Sequence, residues 1–125
     1  MKDHALITKV LKMAAANGYK CYEVNNKWYH YGFLITPNNN ILYIQGGDYG
    51  YGVNLSLEYK PNAKTGSGCR CNDDVITEVN IKTLEKLEKA GLNFARRLKA
   101  TLYKNPDEWL NNYWDRDSLK EVTND

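Results

Sequence analysis

A glycine-rich, basic segment at residues 60–70 carries the side chains best suited to binding an anion. Its main-chain N–H groups can turn inward around a phosphate while cations and hydroxyls complete the site. The side chains expected to contribute are Lys60, Lys64, Thr65, Ser67 and Arg70. A surface hairpin without a ligand is the alternative. The phosphate loop of nucleotide hydrolases places its lysine after the glycines and then opens a helix, and this segment does neither.

The segment follows a stretch that alternates like a half-buried strand. Val53, Leu55, Leu57 and Tyr59 share one face, and the polar residues between them share the other. The polar residues that we expect to orient a ligand are Asn54, Ser56 and Glu58. Pro61 has no N–H group for a sheet ladder, so it predicts the end of the strand.

Two further sets of side chains are candidates for the same ligand. Tyr49 and Tyr51 lie among four glycines and could stack on a base, although a simple hairpin loop is the alternative. Arg96 and Arg97 lie beside the apolar stripe of a long predicted helix. They could add positive charge, or only decorate the helix surface.

The three cysteines indicate neither a disulfide framework nor a common metal motif. Cys21, Cys69 and Cys71 are odd in number, and no signal peptide precedes them, which predicts reduced thiols. Together with His4 or His30 they would supply four zinc ligands, but the spacing matches no common zinc motif. We therefore expect no metal and no cofactor.

Catalysis lacks an assembled set of groups in the sequence. Cys69 beside Arg70 could form a thiolate, but a nucleophile also needs a positioned base. His30 lies in an aromatic strand and is predicted to be a packed, hydrogen-bonded residue. No catalytic residue is assigned.

The N-terminal half is predicted to form a helix and antiparallel strands. Apolar residues recur at helical spacing over residues 3–17, with Gly18 as the stop. A hairpin should turn at Asn25 and Asn26, and its second strand should be central and covered on both faces. Further strands are predicted at residues 41–45 and 53–60.

The C-terminal half is predicted to be mainly helical. Residues 75–79 suggest a short strand or a helical turn, and Thr83 is the expected N-cap of a helix that continues to about Leu102. Gly91 within it marks a break or a close approach to another backbone. Asn105 and Pro106 predict the start of a short helix. Residues 115–125 are predicted to be a charged, partly frayed tail.

These elements predict one α+β domain over residues 1–125. An N-terminal helix packs on an antiparallel sheet of four or five strands, followed by one long and one short helix. With 42% apolar and 26% charged residues the chain has a globular composition, and no run is long enough to span a membrane. We expect a cytoplasmic protein. Ten tyrosines and three tryptophans suit interfaces as well as cores, and a chain of this size is compatible with a homo-oligomer.

Two short motifs carry a resemblance to a known group of proteins. Residues 59–70 read Tyr-Lys-Pro-Asn-Ala-Lys-Thr-Gly-Ser-Gly-Cys-Arg, and residues 104–110 read Lys-Asn-Pro-Asp-Glu-Trp-Leu. With these motifs the last two thirds of the chain resembles small proteins carried by phages, prophages and plasmids. The resemblance implies an anti-defence factor that acts in an infected or lysogenic bacterial host, and it implies no catalytic residue.

Three functions follow as expectations. The first is a non-enzymatic binding protein that grips a nucleotide signal or a nucleic acid through residues 60–70 and so inhibits a bacterial defence system. The second is a protein–protein inhibitor of a host defence effector, such as a CRISPR complex, that uses the aromatic surfaces and the charged tail. The third is a small phosphodiesterase or nucleotide-processing enzyme.

Overall fold

The computed structural model describes residues 2–46, 52–63, 69–71, 76–113 and 118–123, and their side chains except those of 2–5, 69–71 and 112–113. Within these ranges the helices are α1 (Lys2–Ala16), α2 (Ile81–Arg97) and α3 (Pro106–Tyr113). The strands are β1 (Lys20–Asn25), β2 (His30–Ile35), β3 (Ile41–Gly46), β4 (Val53–Glu58), β5 (Cys69–Cys71) and β6 (Lys120–Val122). In this part of the chain no helix is both long and apolar enough to cross a bilayer.

The strands form one antiparallel sheet in the order β5-β4-β3-β2-β1-β6. An N-terminal helix, this sheet and then a long and a short helix confirm the predicted α+β class. The neighbours β1 to β4 follow chain order, because each is joined to the next by a hairpin connection. As predicted, β2 is central in the sheet.

Helices cover the two faces of the sheet unequally. On the side that we call the α1 face, α1 and α2 pack over the odd-numbered residues of β4 and the apolar residues opposite them. The larger members of this core are Ile7, Leu11, Tyr19, Leu34, Leu42, Ile44, Leu55, Leu57 and Leu84. On the other side, the α3 face, the core is smaller and more aromatic. Its members are Tyr22, Phe33, Ile35, Ile41, Tyr103, Trp109 and Leu110.

Helix α2 begins one turn earlier than the sequence suggested. Asn80, not Thr83, is its N-cap: the Asn80 side chain accepts a hydrogen bond from the Thr83 N–H at 2.9 Å. The Thr83 hydroxyl accepts one in return from the Asn80 N–H, which completes a capping box. Thr83 was a plausible cap by residue type, but both residues belong to the same motif.

Gly91 lies at a close contact between α2 and β4. A Cβ atom built on Gly91 would come within 2.6 Å of the Leu57 Cβ, closer than packed carbons approach. The helix continues through this position to Arg97. Of the two interpretations of Gly91, the structure therefore confirms the close approach and excludes the break.

Two short strands occur where none was predicted. β5 lies within the segment that was expected to be only a loop, whereas in the 75–79 region Ile76 makes a single bridge to Val53. β6 pairs with β1 inside the predicted frayed tail, so the expectation of fraying is wrong for Lys120–Val122. Both strands are three residues long and sit at sheet edges, where pairing and not local sequence decides the conformation.

The β1–β2 hairpin turns through four residues, 26–29, because Asn25 still pairs with His30. The Asn26 side chain accepts hydrogen bonds from the Trp28 and Tyr29 N–H groups, both at 2.8 Å. Trp28 and Tyr29 are therefore not strand residues. Their side chains are 76% and 64% exposed at the tip of the hairpin.

Candidate anion-binding groove

A groove opens at the end of the sheet where β2 turns into β3. The β2–β3 turn, the last turns of α2 and the segment after α2 enclose a volume of about 620 Å³. Its lining consists of Asn38, Asn39, Asn40, Leu92, Ala95, Arg96, Ala100, Leu102, Tyr103 and Lys104. Sites for small ligands commonly have volumes of about 300–1,000 Å³, with an apolar lining and a few polar groups.

The asparagine side of the groove is held by a buried polar network. The Thr36 hydroxyl accepts hydrogen bonds from the Asn38 and Asn40 N–H groups, and Asn39 adopts the left-handed conformation with φ 67°. Glu88 of α2 accepts from the Thr36 hydroxyl at 2.6 Å and from the Asn40 amide at 2.7 Å. Because Glu88 is only 5% exposed, this bond pair ties α2 firmly to the turn.

The helix side of the groove ends in a compact cap. Lys99 takes the left-handed conformation with φ 56°, and the Ala100 N–H reaches back to the Ala95 carbonyl at 2.9 Å. This is the Schellman arrangement, which usually has glycine at the left-handed position. The end of a helix carries partial negative charge, but here the Phe94 and Ala95 carbonyls are occupied by main-chain donors. The cap therefore removes part of the repulsion that an anion would meet.

Two cations line the groove. Arg96 and Lys104 are both exposed, and neither forms an ion pair within the described residues. The Arg96 guanidinium contacts the Asn93 side-chain oxygen at 3.1 Å, which leaves most of its donors available. Arg97 is not among the residues that line the groove, and its guanidinium lies 5.8 Å from the centroid of the Phe94 ring.

Lys60 lies next to this groove. Its main-chain N–H donates to the Thr101 carbonyl at 2.8 Å, which joins the end of β4 to the segment after α2. Its ammonium group is 3.1 Å from the Glu108 carboxylate and 5.8 Å from the centroid of the Tyr103 ring, which lines the groove. The structure thus brings the predicted residues Lys60 and Arg96 to one region, although Lys60 is already paired.

The polar residues of β4 lie on the α3 face. Asn54 and Glu58 are half-buried and Ser56 is buried, so this side of the strand is more enclosed than the sequence suggested. Burial raises the pKa of Glu58 to about 7. Burial, with the charges of Tyr31 and Glu58, also raises the pKa of Tyr43 to about 12. Both shifts have burial as their largest cause, so the polar side of β4 is partly removed from solvent.

His30 is packed and hydrogen-bonded, as predicted. Its side chain is 2% exposed, and Nε2 lies 2.5 Å from a Glu23 carboxylate oxygen that also accepts a bond from the Thr8 hydroxyl. The sequence alone did not reveal Glu23 as the partner. The hairpin register could have identified it, because the register places Glu23 and His30 diagonally on the same face of neighbouring strands. This cluster joins α1 to the hairpin.

Several predicted residues lie outside the described part of the chain. They are Tyr49, Tyr51, Lys64, Thr65 and Ser67, and Arg70 is described only as main chain of β5. Cys21 is fully buried, and burial followed by the charge of Glu121 raises its pKa to about 12. Among the described residues, no three His, Cys, Asp or Glu side chains lie close enough to hold a metal ion.

Sequence reasoning missed the asparagine turn and Lys104 as groove residues. The run Pro37-Asn38-Asn39-Asn40 predicts only a turn, because asparagine tolerates positive φ. The turn becomes part of a groove because α2, about fifty residues later in the chain, packs beside it. The one available signal was chemical: three consecutive amide side chains in one turn present many donors and acceptors.

Comparisons with known proteins identify no similar protein. No protein-family model matches the chain, and no match was found among curated proteins or solved structures.

Proposed function

We propose that the protein is a non-enzymatic binding protein for a phosphate-bearing small molecule, which it holds in the groove at the end of the sheet. The observation that carries this proposal is that Arg96 and Lys104 line one cavity without a carboxylate to neutralise them among the described residues. Two cations beside a partly apolar wall provide charge-assisted hydrogen bonds to a phosphate. They also attract anionic ligands from solution.

The other walls of the groove favour a nucleotide over a bare anion. The side-chain amides of Asn38 and Asn39 offer donors and acceptors, and Leu92 and Leu102 provide apolar surface. A ligand with a phosphate, polar hydroxyls and a ring would use all three kinds of wall. Lys60, at the start of the 60–70 segment, lies against Tyr103 and joins the rim.

The biological role follows from the resemblance to proteins of mobile elements. A small binding protein of this kind inhibits a bacterial defence system by sequestering the nucleotide that the system uses as a signal. The site requires no chemical step for this role, since removal of the free ligand by mass action is sufficient.

Binding to the groove can be tested with two neighbouring arginines. Isothermal titration with inorganic pyrophosphate, mononucleotides and cyclic dinucleotides should detect a ligand for the wild-type protein. Arg96→Ala should weaken its binding by roughly tenfold or more, because a hydrogen bond to a charged group contributes about 1.5–3 kcal/mol. Arg97→Ala is the matched control, since it removes the same charge from the next residue of the same helix but leaves the groove unchanged.

Equal losses of affinity in the two variants would show that binding depends only on the overall positive charge of the protein and would contradict a site in the groove. No binding of any compound in the panel to the wild-type protein would reject the proposal. Chromatography of the ligand after incubation tests the enzymatic alternative, because a phosphodiesterase would return it cleaved.

The exposed hairpin tip favours a second candidate function, inhibition by protein–protein contact. Trp28 and Tyr29 project together from the β1–β2 hairpin, and the Lys27 ammonium lies 5.1 Å from the centroid of the Trp28 ring. Tryptophan and tyrosine are enriched among residues that dominate binding energy at interfaces. In this alternative the groove does not contribute to binding.

An infection assay distinguishes the two candidates. The wild-type protein and variants are expressed in bacteria that carry individual defence systems, and phage plating efficiency is measured. Loss of protection of the phage in Arg96→Ala but not in a Trp28→Ser/Tyr29→Ser double variant supports the nucleotide-binding function. The reverse result supports the protein inhibitor.

A further inference from the structure

Two polar side chains on the α3 face have no partner among the residues that the structure describes. Ser56 is 6% exposed and Glu58 is half-buried, yet neither side chain makes a hydrogen bond or an ion pair in that part of the chain. Leaving a buried polar group unpaired costs about 1–3 kcal/mol, and such groups are few in folded proteins. Ser56 and Glu58 are therefore candidates for contact with a bound molecule.

Aromatic rings lie beside these two groups. Tyr43 is the register partner of Ser56 on β3, and its ring centroid lies 5.7 Å from that of Tyr31 and 5.3 Å from that of Phe33. Glu58 pairs with Ile41, two residues before Tyr43, so Glu58 and Tyr43 are diagonal neighbours on the same face of the sheet. An aromatic surface next to unpaired polar groups is the arrangement with which proteins bind bases, by stacking and by edge hydrogen bonds.

Lys60 connects this surface to the groove. Glu58 and Lys60 lie on the same face of the chain, about 7 Å apart, because each residue of a strand advances about 3.4 Å. The Lys60 ammonium is in turn 5.8 Å from the ring centroid of Tyr103, which lines the groove. Lys60 and Tyr103 therefore lie between the groove and the polar residues of β4 on the α3 face.

We propose that Tyr43, Ser56 and Glu58 form the base subsite for the phosphate-bearing ligand and that they select a base with two adjacent N–H donors, as guanine has. The two oxygens of a carboxylate accept both donors at once, whereas adenine would direct the lone pair of its ring nitrogen at the carboxylate. The Ser56 hydroxyl adds a third hydrogen bond, and Tyr43 provides the stacking surface. This inference rests on the proposed function.

The test compares compounds that differ only in the base. Titrations at pH 8, where the Glu58 carboxyl is ionised, use GMP, IMP, AMP and inorganic pyrophosphate. We expect GMP to bind at least tenfold more tightly than AMP, with IMP between them because it lacks the second donor. Glu58→Gln should remove the preference for GMP while pyrophosphate binding still depends on Arg96, and Ser56→Ala should weaken GMP binding by a few-fold.

The outcomes separate this inference from the proposed function. If pyrophosphate binding depends on Arg96 while GMP and AMP bind equally well, or while Glu58→Gln has no effect on the preference, the base subsite is wrong and the phosphate site stands. If neither pyrophosphate nor any nucleotide binds, both are wrong. Circular dichroism and the melting temperature of each variant verify that it is folded.

Discussion

Glu58 would be ionised at neutral pH in an unfolded chain but is about half ionised in the folded protein, because burial raises its pKa to about 7. Below about pH 4.5 the carboxyl is protonated in both states and does not affect the folding equilibrium. Between pH 4.5 and 7 the unfolded state loses its proton first, which favours unfolding. Above pH 7 both states are ionised, and the full cost of the buried charge remains.

We predict that Glu58→Gln raises the free energy of unfolding, relative to the wild-type protein, more at pH 8 than at pH 4.5. The variant and the wild type differ in their free energy of unfolding, and we expect this difference to change between the two pH values. The shift of the Glu58 pKa from its ordinary value to about 7 corresponds to a change of up to about 3 kcal/mol, which the partial exposure of the side chain reduces. Urea denaturation of both proteins at the two pH values measures it. A difference that does not change with pH would contradict the burial of this carboxyl.

At the scale of elements, the contact between α2 and β4 depends on a glycine, which has no side chain. Gly91 allows the helix backbone to approach Leu57, and the helix then places Glu88 under the β2–β3 turn and Arg96 at the groove. The site residues on α2 therefore depend on how closely the helix packs against the sheet. In isolation the helix would be more stable with alanine at this position.

We predict that Gly91→Ala destabilises the protein by roughly 1–3 kcal/mol, although alanine favours helix by up to about 1 kcal/mol. The added methyl group would lie 2.6 Å from the Leu57 Cβ, an atom that cannot move without its backbone. Lys89→Ala, at an exposed position on the same helix, is the control and should change stability by less than about 0.5 kcal/mol. A stabilised Gly91→Ala variant would mean that α2 does not pack this closely.

At the scale of the whole molecule, β1 is covered by α1 on one face and by β6 along its edge. Cys21 of β1 lies in the core beneath α1 and pairs with Val122 of β6 at the edge of the sheet. Its thiol is fully buried and its pKa is about 12, so the reactive thiolate is rare and inaccessible. Reaction at Cys21 therefore requires the structure to open.

We predict that Cys21 in a Cys69→Ser/Cys71→Ser variant reacts with iodoacetamide at pH 8 at least a hundredfold more slowly than the same protein in denaturant. The pKa alone reduces the thiolate fraction by more than this factor, and burial reduces it further. Mass spectrometry of samples taken over time measures the rate. Rapid labelling without denaturant would contradict the covered position of β1.

Much of the fold could be predicted because local periodicity is a physical property of the chain. The alternation at residues 53–59, the helical spacing at residues 3–17 and the Asn105–Pro106 helix start each depend on neighbouring residues alone. The Asn105 side chain accepts a hydrogen bond from the Asp107 N–H at 2.9 Å, as that start signal requires. The predicted loop residues 64–68 lie outside the described residues, so the anion-binding role of that loop stays a prediction.

The sequence by itself determined the α+β class, the apolar face of β4 and the covered position of β2, because those features follow from residue type and spacing. Only the tertiary structure decided that Arg96 lines a groove while Arg97 does not, and that Glu58 is enclosed. These depend on contacts between residues about fifty positions apart, such as Thr36 with Glu88, which no local pattern specifies. Two adjacent arginines are equivalent in a sequence, but the 100° turn between helix residues gives them different surroundings.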